Sequence, residues 1–197
     1  STCTQACEWG MEIFRKINKD NPIIYISPTE HPAVIKSSKN NKYNHQLLTL
    51  DVNKSGVILN KQNDFPAICI YIQNEAGIIQ PIFDLNAKSI FVDMSQAPGK
   101  ITLPNLKDYP NVDIAVFGAH KFGGPASVGF FYIKNPSDWS EFGYGSRYYL
   151  DRAGTPDVCS IVATSAALKH PVNKLDIKLS NSKLFQMFIE KEMKDLG

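Results

Sequence analysis

The chain has 197 residues, of which 43% are hydrophobic, and that is enough for one domain with a sizeable core. Charged residues make up 20% and leave a net charge of only +2. The lysines are scattered, so the composition does not indicate a nucleic-acid partner. The sequence has neither an apolar run long enough to span a bilayer nor a recognisable signal peptide, so it does not indicate a membrane partner.

The cysteines indicate a reduced protein. The four thiols are spaced neither as a zinc ribbon nor as a disulfide framework, so we expect no metal site and a cytoplasmic location. They are Cys3, Cys7, Cys69 and Cys159. The chain starts at Ser1 and runs at once into a predicted helix, which suggests a processed, truncated or partial polypeptide.

The predicted elements alternate between strands and helices. A helix is predicted over 4–18, with Thr4 as its cap. Further along, strands are predicted at 21–27, 46–52, 66–73, 89–96, 114–121 and 128–134, helices at 30–38, 158–169 and 181–196, and a short helical or irregular crossing at 80–87. Apolar strands separated by helices predict an α/β fold of three layers, with a mostly parallel sheet covered on both faces.

Polar side chains follow four of the apolar runs. They are Glu30 and His31, Asn74 and Glu75, Asp93 and Gln96, and His120 and Lys121. Each alone has an ordinary explanation as a turn or surface residue. In a doubly wound sheet, however, the carboxyl ends of neighbouring strands share one crevice. We therefore expect these side chains to converge.

A converging lysine, aspartate and histidine suit pyridoxal phosphate. A lysine amine forms a Schiff base with the cofactor aldehyde, and Lys121 is the candidate. A buried carboxylate keeps the pyridine nitrogen protonated, which Asp93 could do. A flat side chain is needed against one ring face, and His31 is predicted to supply it.

The other polar groups suit the remaining parts of the same cofactor. Gln96 and Asn74 could donate hydrogen bonds to its phenolic oxygen. Its phosphate needs a helix N-terminus with hydroxyl or imidazole donors, and Thr4 and His120 are the candidates.

Six segments, in order, resemble motifs of the cysteine desulfurases, which belong to the class V aminotransferase group of fold-type I pyridoxal-phosphate enzymes. The segments are STCTQAC at 1–7, SPTEHPAVI at 27–35, QNEAGIIQPI at 73–82, VDMSQAPGKI at 92–101, GAHKFGGPASVGFFYIK at 118–134 and RAGTPDV at 152–158. They are similar to SGATEAN, TEHxAV, NNExGxxQPI, VDAxQxxGKI, SGHKxxGPxGxGxLYxR and RxGTxNV of the family. Six motifs in the right order are far more specific than any one of them.

The resemblance implies a role for each matching residue. Lys121 would hold the cofactor and shuttle the substrate α-proton, and His31 would stack on the ring. Asp93 would pair with the pyridine nitrogen, Gln96 with the phenolic oxygen, and Asn74 falls on the family's functional asparagine. The phosphate would be held by Thr4 and His120 and, across a homodimer interface, by Thr155 of the other subunit.

The sequence also departs from the family. Gly118 stands where the family has a phosphate-binding serine, the crossing at 80–89 is short, and FGYGSRYYLD at 142–151 replaces a stretch with a Gln-Glu pair. The family has a further N-terminal segment and a small C-terminal domain that supplies a mobile cysteine and a substrate-binding arginine. The resemblance therefore implies that residues 1–197 form the large domain only, and that none of the four cysteines takes the place of the mobile one.

Three functions follow from this comparison. The first is a desulfurase that removes sulfur from L-cysteine, giving alanine and an enzyme persulfide that passes to a sulfur-acceptor protein for iron–sulfur cluster assembly. The second is another class V aminotransferase or lyase reaction, which needs no catalytic cysteine. The third is a non-catalytic module that keeps the pocket.

Overall fold

A computed structural model describes residues 2–39, 42–60, 64–139, 155–172, 183, 185–187 and 189–190. The helices of this part are α1 (Cys3–Ile17), α2 (Pro32–Lys39) and α3 (Val158–Val172). Its strands are β1 (Ile23–Ile26), β2 (Gln46–Thr49), β3 (Ala67–Ile70), β4 (Ile72–Gln73), β5 (Ile78–Ile79), β6 (Ile90–Asp93), β7 (Val112–Gly118) and β8 (Gly129–Ile133). Single 3-10 turns occupy Ile82–Asp84, Leu106–Asp108, Ala119–Phe122 and Pro136–Trp139.

The main sheet has the strand order β2-β1-β3-β6-β7-β8. All neighbouring pairs are parallel except β7 and β8, which form an antiparallel edge. Ile70 of β3 pairs with Asp93, and Asp93 pairs with Val116 of β7. The predicted mostly parallel α/β sheet is confirmed, and its register brings the carboxyl ends of β3, β6 and β7 side by side.

The two faces of the sheet are covered differently. Helix α1 lies on one face, where Phe14 packs edge-on against Phe91 with ring centroids 6.0 Å apart. Irregular chain covers the other face with apolar side chains that include Leu50, Ile58 and Ile82. A single 3-10 turn at Ile82–Asp84 lies between β5 and β6, within the short helical or irregular crossing predicted at 80–87.

Two sequence-based details are wrong at the level of single residues. Thr2, not Thr4, caps α1: its hydroxyl accepts a hydrogen bond from the Gln5 amide at 3.3 Å. The apolar run at 66–73 is two strands, because the chain leaves the main sheet after Ile70. The Tyr71 carbonyl then accepts from the Gln80 amide, which closes the β4–β5 hairpin.

The predicted helix at 181–196 is described only at residues 183, 185–187 and 189–190, which are helical. The rest of that helix lies outside the described residues, and so do the altered stretch at 142–151 and the first part of the RAGTPDV motif.

The start of α1 rests on the backbone of Gly129, at the start of β8. A Cβ built on Gly129 would lie 2.4 Å from the Thr2 carbonyl oxygen and 2.5 Å from the Cys3 nitrogen. We therefore expect Gly129→Ala to lower the free energy of unfolding by about 1–3 kcal/mol, the usual cost of overpacking. Chemical denaturation would measure this effect, and Ser127→Ala in the exposed loop before β8 is the control. Equal stability of the two variants would show that α1 does not rest on this strand.

Candidate active site

Asp93 lies at the carboxyl end of β6, on the floor of the candidate site. Its side chain is 6% exposed, and its Oδ1 accepts a hydrogen bond from the Ser95 amide at 2.8 Å. The pKa of Asp93 is raised overall, because burial raises it more than the other groups lower it. Those groups are the Ser95 hydrogen bonds and the nearby His31 and Lys121. The predicted aspartate, histidine and lysine therefore interact electrostatically across three strand ends.

Lys121 is presented by the turn that ends β7. The Ala119 amide donates to the Val128 carbonyl at 3.0 Å, and the Gly124 amide donates to the Ala119 carbonyl at 2.9 Å. Gly123 closes the 3-10 turn with a φ of +93°, a conformation that favours glycine. The glycines after Lys121 thus let β7 reverse into β8 while the lysine side chain stays exposed.

His31 follows β1 and begins the turn into α2. Its Nδ1 accepts a hydrogen bond from the Ala33 amide at 3.1 Å, which leaves Nε2 as the protonated nitrogen of the neutral ring. The ring is exposed, as a group that covers the face of a ligand would be before the ligand binds.

Asn74 and Gln96 meet at one side of the site. The Gln96 Nε2 donates to the Asn74 Oδ1 at 3.1 Å, and Lys100 Nζ donates to the Gln96 Oε1. Burial and the nearby Lys121 lower the pKa of Lys100. Sequence reasoning missed Lys100, although it stands inside the VDMSQAPGKI motif, four residues after Gln96.

The start of α1 lies next to the end of β7. Thr4 is exposed in the first turn of α1, and His120 is exposed on the turn after β7. A Cβ built on Gly118 would lie 3.1 Å from Cys3 Sγ and 3.4 Å from His120 Cε1. The Cys3 side chain therefore lies where a side chain at position 118 would contact it.

Cys3 also joins α1 to the loop after β6. Its Sγ is 3.3 Å from Ser95 Oγ. The Cys7 thiol lowers the pKa of Cys3, burial raises it and the Ser95 hydroxyl lowers it, and the result is a pKa of about 7. Cys7 itself is buried, and its interaction with Cys3 together with burial raises its pKa.

Thr155 lies apart from this group along the chain. It is exposed just before α3, the helix that packs against the turn carrying Lys121.

Among the described residues, no group of three or more His, Cys, Asp or Glu side chains is arranged to hold a metal ion. None of the helices in the described part is long and apolar enough to cross a membrane.

The mostly parallel sheet, with a lysine, a buried aspartate and a histidine at its carboxyl edge, has the fold of the NifS-like pyridoxal-phosphate-dependent proteins. The sequence matches the aminotransferase class-V family over residues 3–191, so the chain belongs to that family. Class V aminotransferases and cysteine desulfurases are pyridoxal-phosphate enzymes, and the predicted cofactor is confirmed as that of the family.

Individual relatives agree with this assignment. The chain is 30% identical over 185 residues to the cysteine desulfurase IscS of Buchnera aphidicola, and the match covers 85% of this chain and 45% of that protein. It is 29% identical over 198 residues to cysteine desulfurase IscS of Clostridium botulinum, with 90% and 49% covered. A solved NifS-like protein superposes with a TM-score of 0.82 at 26% identity, over 100% of this chain and 58% of that one. The resemblance to the cysteine desulfurases is confirmed, and the chain spans about half the length of the curated relatives it matches.

The side chains present fit the family's cofactor. The buried carboxyl of Asp93 suits a protonated ring nitrogen, and the exposed amine of Lys121 suits an aldehyde. The first-turn amides of α1 that precede Gln5 have no intrahelical acceptor and, with Thr4 and His120, suit a phosphate.

Proposed function

We propose that the chain is the cofactor-binding part of a cysteine desulfurase, which takes sulfur from L-cysteine and leaves alanine. The observation that best supports this function is the convergence of His31, Asp93 and Lys121 at the carboxyl ends of β1, β6 and β7. When bound, pyridoxal phosphate supplies an aldehyde that condenses with an amine, releasing one water, and a ring that withdraws electrons.

Each side chain then has a defined task at the reacting part of the site. Asp93 holds a proton on the ring nitrogen, and His31 covers one ring face and excludes water from it. The Lys121 amine would hold the cofactor and would move the substrate α-proton. Asn74 and Gln96, which are already hydrogen-bonded to each other, orient the phenolic oxygen.

The anchoring and sulfur-accepting groups complete this proposal. Thr4, His120 and the first-turn amides of α1 hold the phosphate, and Gly118 contributes no side chain to it. Cys7 and Cys69 are buried, and Cys159 is exposed on α3. Since none of Cys3, Cys7, Cys69 and Cys159 stands at the position of the family's mobile cysteine, we propose that another thiol accepts the substrate sulfur and passes it to an acceptor protein of cytoplasmic iron–sulfur cluster assembly.

The test is to identify the lysine that binds the cofactor. The chain is incubated with pyridoxal phosphate, reduced with borohydride and analysed by peptide mass spectrometry. We expect the label on Lys121, its loss in Lys121→Ala and its retention in Lys107→Ala, an exposed lysine of the 3-10 turn Leu106–Asp108. Absence of label on Lys121 would contradict cofactor binding by this chain and favour the non-catalytic module.

Product analysis then separates the chemistries. Release of sulfide and alanine from L-cysteine by the labelled protein would support the desulfurase. Keto-acid formation, or release of sulfide without alanine, would instead support another class V reaction on the same scaffold.

We also propose that the protein is a homodimer in which Thr155 reaches the phosphate of the other subunit. One face of α3 supports an interface, because Val158, Ile161 and Val162 are 63%, 52% and 61% exposed and lie within one helical turn of each other.

We expect Val162→Lys to raise the dimer dissociation constant tenfold or more, since burial of a valine contributes about 1.5–3 kcal/mol. Sedimentation would measure it, with Ala163→Lys on another face as the control; a wild-type monomer at micromolar concentration would contradict the dimer.

A further inference from the structure

Glu30 is a buried carboxyl group to which the proposed function assigns no task. It follows β1, is 6% exposed, and both carboxylate oxygens are buried without a hydrogen-bond partner. Isolated ionised carboxylates are costly in such a site, so a buried carboxyl without a partner is normally protonated.

The position of Glu30 places it beside the floor of the site. β1 and β3 are neighbours in the sheet, as are β3 and β6, and Ile70 at the end of β3 pairs with Asp93. Burial raises the pKa of Glu30 most, and Asp93 raises it further; the Ile70 amide, which is near but makes no hydrogen bond of normal geometry to either carboxylate oxygen, lowers it. The buried thiols of Cys7 and Cys69 also lie within electrostatic range of Glu30.

The two carboxyl groups have different surroundings. Asp93 has the Ser95 amide at 2.8 Å and has Lys121 and His31 nearby. For Glu30, burial is the main influence, and the nearby charged group is another acid. When two carboxyls are close enough to repel, one keeps a proton, and it is the one with less stabilisation of its negative charge.

We propose that Glu30 is held as a neutral carboxylic acid near Asp93, so that the pair carries one negative charge and that charge lies on Asp93. Glu30 is then a positioning residue: it does not touch the cofactor, but it keeps a second charge away from the carboxylate that faces the ring nitrogen. This inference rests on the proposed role of Asp93.

Infrared spectroscopy of the protein without cofactor locates the proton. A protonated carboxylic acid has a carbonyl band separate from that of carboxylates, and the band shifts in heavy water. At neutral pH we expect this band in the wild type and in Asp93→Asn, and its loss in Glu30→Gln. Glu8→Gln, which alters an exposed carboxylate of α1, is the matched control and should keep the band. A band that is missing in the wild type, or that disappears in Asp93→Asn but not in Glu30→Gln, would overturn the proposal.

A second measurement does not depend on folding of the glutamine variant. Carboxyl-labelled glutamate in the wild-type protein should show one resonance that stays at the neutral position as the pH rises through 4.5, the ordinary pKa of glutamate. Titration of every glutamate near its ordinary pKa would contradict the inference. Neither result requires cofactor binding, so failure of the proposed function would leave this test intact.

Discussion

Replacing Asp93 with asparagine is expected to stabilise the protein without cofactor at neutral pH and to weaken its binding of pyridoxal phosphate about 10- to 100-fold. The loss of affinity follows because a hydrogen bond to a charged group contributes about 1.5–3 kcal/mol, and the amide cannot hold the proton on the ring nitrogen. The gain in stability follows because the carboxyl is buried, and burial disfavours its ionised form.

The pH dependence of that stability gain has a defined sign. The pKa of Asp93 is raised in the folded protein, so its contribution to stability is fully present below the ordinary value of 3.8 and is lost as the pH rises through the folded pKa. Asparagine does not titrate. The difference in unfolding free energy between Asp93→Asn and the wild type should therefore grow from pH 4 upward and then level off.

Denaturant titrations at several pH values, on protein freed of cofactor, would measure this difference. Asp20→Asn changes an exposed aspartate after α1 and should show no such trend. A stability difference that shrinks as the pH rises would mean that Asp93 is stabilised as the anion without its ligand. The protein's own groups, and not the protonated ring nitrogen of the cofactor, would then stabilise the Asp93 carboxylate.

The sequence predicted the parts of the fold that depend on apolar periodicity. Strands such as β6 and β7 are continuous buried runs. The polar residues at the ends of these runs predicted which edge of the sheet could hold a site. The split between β3 and β4 was missed, because the run continues through Tyr71 and periodicity alone does not show that the chain changes partners there.

The candidate site was predictable residue by residue only where a motif marked it. Asp93 and Lys121 stand at strand ends, a position that the topology rule for parallel sheets singles out. Lys100 was missed although its partner Gln96 is only four residues away. Glu30 was expected at the crevice but was assigned no role, because its burial depends on segments distant in sequence. A buried acid without a partner cannot be distinguished in a sequence from an exposed glutamate before a helix.

The departures from the family at Cys3 and Gly118 are predicted to be one structural change rather than two. The resemblance places a phosphate-binding serine at position 118 and an alanine at position 3. In this protein a Cβ at position 118 would lie 3.1 Å from Cys3 Sγ and 3.2 Å from Cys3 Cβ. These distances are tighter than ordinary contacts, so a side chain at position 118 and a thiol at position 3 compete for the same space.

We therefore expect Gly118→Ser alone to lower the free energy of unfolding by about 1–3 kcal/mol, through overpacking against the thiol. Adding Cys3→Ala should recover most of that loss, because the sulfur that obstructs the hydroxyl is gone. The double variant should also bind pyridoxal phosphate about tenfold more tightly than Cys3→Ala alone, since it gains one hydrogen bond to an anion. The stability and affinity of the wild type, the two single variants and the double variant form a double-mutant cycle. We expect a coupling energy well above the few tenths of a kcal/mol seen for independent sites. Simple additivity would instead mean that the two positions changed independently and that Cys3 is not the reason why position 118 is a glycine.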